Sequence, residues 1–200
     1  MVQSPASALL VGGRLAIDFC NALRPSSRFA WEDLLRFLLT TRIISHERSG
    51  ELLALPDADR QSAAALLSKA RRLQSALEGV FSAVANRESL PRDTVEPING
   101  ILAITEGHDE LVQRNSRWRL EFVAREGGLD WLLAAVARSA AEIIAEGPGA
   151  PVRLCGNPSC GLFFYDTSRT GKRRWCSMAR CGNRHKVAAF ASRHSAKRAF

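Results

Sequence analysis

Four of the chain's five cysteines fall into two Cys-x4-Cys pairs, Cys155-Gly-Asn-Pro-Ser-Cys160 and Cys176-Ser-Met-Ala-Arg-Cys181, separated by residues 161–175. Each pair is short enough for one tight turn to aim two sulfurs at a single ion. Gly156, Asn157 and Pro158 in the first pair, and Gly182 and Asn183 after the second, let the backbone curl around it. Four thiolates so spaced hold one structural zinc in a closed tetrahedral site, each sulfur at about 2.3 Å. Iron–sulfur chemistry is the weaker reading, because rubredoxin-like and ferredoxin spacings are shorter. His185, at Cys181-x3-His185, and His194 could compete for the metal. Four thiolates already complete a tetrahedron, so both read as helix-surface imidazoles.

Local structure must position these ligands. Leu162-Phe-Phe-Tyr-Asp-Thr-Ser-Arg-Thr-Gly-Lys-Arg-Arg-Trp175 reads as strand, turn, strand, with aromatic residues for the strands and Asp-Thr-Ser and Thr-Gly for the reversal. From Met178 or Cys181 onward, past Gly182, Ala and Arg dominate without proline, which predicts a helix to near the chain end. A knuckle, a hairpin and a helix whose first turn carries the last ligands make a treble-clef-like zinc finger with four cysteine ligands. Leu162, Phe163, Phe164, Trp175, Val187 and Phe190 are expected to pack around the metal, in a core too small to fold without it.

The run from Cys155 through Cys160-Gly-Leu-Phe-Phe-Tyr-Asp-Thr-Ser-Arg169 to Arg173-Arg-Trp-Cys-Ser-Met178 and Cys181-Gly-Asn-Arg184 resembles the CGNR zinc-finger family over roughly residues 152–188. The tetrapeptide that names the family stands at 181–184. Nearer the start, Leu15-Ala-Ile-Asp-Phe-Cys-Asn-Ala-Leu23 is similar to the opening of ABATE domains, with Cys20 and Ala22 where those openings more often carry an apolar residue and a Thr. The resemblance implies a bacterial stress-induced transcription regulator in which an ABATE domain precedes the finger.

Charge separates the two parts. Residues 151–200 hold eleven of the 28 Lys and Arg but one of the 20 Asp and Glu, so the formal +8 is +10 in this stretch and −2 in the rest. Four thiolates and one Zn²⁺ lower the stretch to about +8, still an excess that attracts polyanions. Arg174 and Arg184, close to the cysteines, are expected to offset the zinc–thiolate centre, with Asn183 capping the helix or bonding a thiolate. Lys172, Arg173, Arg180, Lys186, Arg193, Lys197 and Arg198 are then free to face phosphates, of DNA ahead of RNA. Such contacts position a protein without specifying a sequence.

The front of the chain reads as helices around one β-hairpin. Helices are expected at Leu15–Leu23, Trp31–Thr40, from Asp57 or Asp59 to Asn86, from Thr94 or Pro97 to Thr105, and at Leu129–Glu146. Ser45–Gly50 reads as punctuation, Glu110–Arg114 and Trp118–Val123 as paired strands, and Gly147–Pro151 as a linker. In the long helix, Ala64, Leu67, Ala70, Leu73, Leu77, Val80, Phe81 and Val84 are the expected inward face. Cys20 reads as a core thiol, and Asp18 and Asn21 as buried polar groups that find partners in the fold.

Nothing here reads as an enzyme: there is no phosphate loop, no His-Glu-x-x-His and no Gly-x-Ser-x-Gly. At 46% hydrophobic and 24% charged the chain is ordinary for a globular protein. It lacks an apolar run of about eighteen residues and the pattern of a signal peptide, so no membrane and a reducing cytoplasm are expected. The fold class expected is mainly α (α+β): a helical N-terminal domain with one β-hairpin at 1–147, a linker at 148–151 and the finger with its basic helix at 152–200. The function expected is a transcription regulator whose zinc module binds nucleic acid while the front domain senses a small-molecule ligand or assembles a homodimer. The alternative is a zinc-stapled protein-interaction or RNA-binding module.

Overall fold

The computed structural model describes residues 10–24, 29–104, 107–114, 117–124 and 128–187, with side chains outside 108–124. Its spine is a 27-residue helix, α5 (Arg60–Asn86). Asp59 caps the start, its Oδ1 accepting from the Ser62 N–H at 3.0 Å, and Arg87 in the left-handed region (φ 60°) ends it. The buried face begins at Ala63 and Leu66 and continues through Ala70, Leu73, Leu77, Val80 and Val84, a regular three-four spacing. Ala64 is exposed and Leu67 half-buried, so the inward face enters the helix one position earlier than expected.

Around this spine lie α1 (Leu15–Ala22), α2 (Trp31–Thr40), α3 (His46–Leu53), the single turn α4 (Leu55–Ala58), α6 (Glu96–Ile104) and α7 (Trp131–Ala145). Short α1 packs between α5 and α7, with Ala16, Ile17, Phe19 and Cys20 buried, and Phe19 meets Phe37 of α2 edge-on at 5.2 Å. The stretch expected as punctuation is helix α3. Ser45 caps it by accepting from the Arg48 N–H at 3.1 Å, and Leu52 anchors it in the core, where its carbonyl accepts from Trp31 Nε1 at 2.9 Å. Gly50 and the charged residues that masked this helix face solvent, while Ser49 is buried. Strands β1 (Gly107–Arg114) and β2 (Arg117–Ala124) pair antiparallel with Gly107 opposite Ala124 and Arg114 opposite Arg117, a longer hairpin than expected.

The second small sheet differs from expectation in kind. Strand β4 (Phe163–Tyr165) does not pair with residues 172–175. Its partner is β3 (Val152–Leu154), upstream of the first cysteine, with Val152 opposite Tyr165 and Leu154 opposite Phe163. The first Cys-x4-Cys pair is therefore the tip of a hairpin. Asp166 takes over at the strand's end: its carboxylate accepts from the Ser168 and Arg173 N–H groups, each at 3.0 Å, closing the following loop by a side chain instead of a ladder.

Alternation along β4 serves two cores. Phe163 and Tyr165 join the helical core, with Phe81 of α5 at 6.0 Å from Phe163, whereas fully buried Phe164 belongs to a second cluster with Leu162, Cys155, Cys176 and Cys181. The stretch expected as a linker is packed as well. Gly147–Gly149 forms one 3₁₀ turn, Ala150 is buried, and the Pro151 carbonyl accepts from the Asp166 N–H at 2.8 Å.

Candidate metal centre

Cys155 and Cys160 flank the β3–β4 turn, Cys176 follows the Asp166-closed loop, and Cys181 sits in one π-helical turn (Met178–Gly182) that leads into helical residues 183–187. The four sulfurs all lie within 4.8 Å of one another, with Cys160–Cys176 at 3.6 Å and Cys176–Cys181 at 3.7 Å. Tetrahedral corners at a zinc–sulfur bond of about 2.3 Å stand about 3.8 Å apart, so the cluster fits zinc. Three of the ligands are buried and Cys160 is half-buried.

Backbone bonds hold this span. The Cys155 N–H donates to the Leu162 carbonyl at 2.9 Å, and the Cys160 N–H to that of Asn157 at 2.9 Å. Gly156 donates to the Arg174 carbonyl at 2.8 Å, a contact so close that a Cβ there would sit 3.1 Å from that oxygen and 3.3 Å from the Trp175 ring. Two donors address the sulfurs: Asn157 Nδ2 reaches Cys181 Sγ at 3.5 Å, and the Cys176 N–H reaches Cys155 Sγ at 3.4 Å. Burial and the neighbouring sulfurs push the Cys176 thiol up, and burial pushes Cys160 up too. Burial also works against Cys181, but the Asn157 amide and the adjoining thiols hold it down. Four thiolates gathered this closely repel one another, and zinc supplies the charge that offsets them while tying loop to turn.

The expected site residues divide. Arg174 is exposed and lies over Trp175 at 5.2 Å, and Asn183 and Arg184 are exposed, so the amide that serves a ligand sulfur is that of Asn157. Arg173, expected to face phosphates, turns inward: Nε donates to the Trp175 carbonyl at 2.8 Å, Nη2 to the Cys176 carbonyl, and the guanidinium lies 4.7 Å from the Phe164 ring centre. It is a strut of the metal loop. Lys172, Arg180 and Lys186 are exposed, whereas Arg193, Lys197 and Arg198 lie outside the described residues, as do His194 and Phe190. His185 stacks on Trp175 with ring centres 4.7 Å apart, outside the ligand set, and Val187 is 69% exposed.

Asn21 proves to be the link between the parts. Its Nδ2 donates to the Phe163 carbonyl at 2.8 Å and its Oδ1 accepts the Phe163 N–H at 3.0 Å, so one fully buried amide in α1 completes the free edge of β4. Two residues on, the Tyr165 N–H donates to the Gly12 carbonyl at 2.7 Å. Arg24 donates to the Gly161 carbonyl beside Cys160 and pairs with Glu78 of α5 at 2.6 Å. Tyr165 donates its hydroxyl proton to Glu146, under the Arg14 guanidinium 4.5 Å from its ring centre. The one sequence signal for this clasp is a polar residue on an apolar helix face.

Cys20 is a core thiol, pushed up to about 12 by burial. Asp18 accepts the Gly12 N–H at 2.7 Å, yet burial outweighs that bond and raises its carboxyl from 3.8 to about 6. Folding then favours the proton, so this group costs nothing below its unfolded value and its cost grows as pH rises from about 4 to about 6. A rise of that size corresponds to about 3 kcal/mol, which solvent at the open side of this half-buried group reduces to about 1–2 kcal/mol. Asp18→Asn keeps the acceptor for Gly12 and removes the charge. It is expected to raise the melting temperature at pH 8 by a few degrees and to change nothing near pH 4; an equal effect at both values would show that the charge is not the cause.

Among the described residues no helix is long and apolar enough to cross a membrane. Comparison with known families matches residues 152–194 to the CGNR zinc finger and residues 13–147 to ABATE, whose description reads "Putative stress-induced transcription regulator". Neither description is that of an enzyme, and comparison with curated proteins finds no match. The chain belongs to the ABATE family and carries behind that domain a CGNR finger that holds one structural zinc.

Proposed function

We propose that this protein is a cytoplasmic transcription regulator whose finger binds the phosphate backbone of duplex DNA, while its helical domain senses a small-molecule ligand or assembles the protein as a homodimer. The observation that carries the reading is the placement of charge. Docking on Asn21 buries Phe163 and Tyr165 in the helical core, and Arg169, Lys172, Arg180, Arg184 and Lys186 stay exposed on a module with one acidic residue, Asp166, itself buried. Lys172, Arg180 and Lys186 are the proposed contacts among the described residues, with Arg193, Lys197 and Arg198 extending them. An exposed aromatic patch would instead favour an RNA-binding or protein-interaction module. Trp175, however, is half-buried against His185 and beneath Arg174. A reducing cytoplasm suits a site of four thiolates.

Fluorescence anisotropy of the zinc-loaded protein against a random duplex and a matched RNA, across a salt titration, tests this. Duplex binding is expected to weaken with a log–log slope of about −5, as six phosphate contacts require, and to vanish on chelation. No duplex binding at low salt, or tighter binding to the RNA, would transfer the reading to the RNA or interaction module.

A further inference from the structure

We propose that the β1–β2 hairpin joins two copies of this chain, with β2 pairing antiparallel to β2 of the second copy about a two-fold axis at Leu120, to make one four-stranded sheet. The hairpin is a two-stranded sheet with both outer edges open among the described residues, and its principal packing there is between its own strands. Each strand is eight residues long. Such a hairpin is marginal alone, and a long open edge is a template for another strand.

Residues 118–122 of β2 identify that strand, because they are their own complement. Centred on Leu120, self-pairing sets position 119 opposite 121 and 118 opposite 122, so Arg119 stands opposite Glu121 and Trp118 opposite Phe122, each pair occurring twice. The pleat is kept, since opposed positions differ by an even number and share a face. The edge of β1 offers less: centred on Val112 it matches Glu110 with Arg114 but sets Leu111 against Gln113. Within the hairpin, moreover, Glu110 stands opposite Glu121. Like charges so placed destabilise a sheet, and Arg119 of the second copy, on the other side of Glu121, offsets them.

This inference gives the proposed homodimer its surface and requires no nucleic acid, so mass measured without nucleic acid tests it apart from DNA binding. In sedimentation equilibrium at micromolar concentration, the zinc-loaded full chain is expected at twice its own mass. R119E and E121R each set like charges across the axis twice and should weaken the dimer at least about tenfold. E121R also removes the Glu110–Glu121 conflict, so its effect cannot be ascribed to a weaker hairpin. The double exchange R119E/E121R should restore the dimer, and so should mixing the two single variants, since opposite signs then meet at both sites. Circular dichroism and zinc content serve as fold controls. A wild-type monomer, a dimer indifferent to either single change, or mixed variants that stay monomeric would each overturn the proposal.

Discussion

Cys160→Ser is expected to empty the metal site and to lower the melting temperature of the helical part as well. A serine hydroxyl does not replace a zinc thiolate, and the remaining three sulfurs cannot close the tetrahedron. The binding energy of a structural zinc, about 10–16 kcal/mol in zinc-finger peptides, is folding energy, so the loop from Cys155 to Cys181 loses its main support. The effect should not stop there, because Phe163 and Tyr165 enter the helical core from the same strand that carries Phe164 into the metal cluster. Loss of a buried phenylalanine's packing costs about 3–5 kcal/mol, or about 10 °C in a chain of this size. Zinc measured with a colorimetric chelator and melting followed by far-UV circular dichroism give both readings. Full zinc occupancy in the variant would refute the ligand assignment. Metal loss with an unchanged helical transition would mean that β4 stays docked without its ion.

The ligand set was legible in the sequence because cysteine spacing is a local quantity, as were an aspartate cap of α5, at Asp57 or Asp59, and the concentration of charge after residue 150. What escaped depends on pairing between distant residues. The pattern Phe163-Phe-Tyr165 reads as a strand, but nothing in three residues says that its partner lies before Cys155, or that its two faces belong to different cores. Arg173 looks like its basic neighbours in sequence; only the fold places the Trp175 and Cys176 carbonyls within its reach. Asn157, inside the first knuckle, was read as a turn former. It is one, accepting the Ser159 N–H on Oδ1 at 3.1 Å, while its amide nitrogen serves Cys181. The apolar run of α1 predicted burial correctly, and with it partners for Asn21, but not that the partner would be the backbone of residue 163.

Asn21→Ala separates that clasp from the metal. The change leaves all four cysteines untouched but strips the Phe163 N–H and carbonyl of their partners in a fully buried site, where water does not replace them. Two orphaned backbone groups cost about 1–3 kcal/mol each, so a loss of about 4 kcal/mol and a fall of about 10 °C in melting temperature are expected. Zinc stoichiometry should hold, since the sulfur donors Asn157 and the Cys176 N–H lie within the finger itself. Zinc should nonetheless leave faster to a competing chelator, because a strand released from α1 lets the Cys155–Cys160 knuckle open more often. A melting temperature within a degree of wild type, together with an unchanged extraction rate, would show that the contacts of Arg24 with Gly161 and of Gly12 with Tyr165 hold the finger in place without the amide.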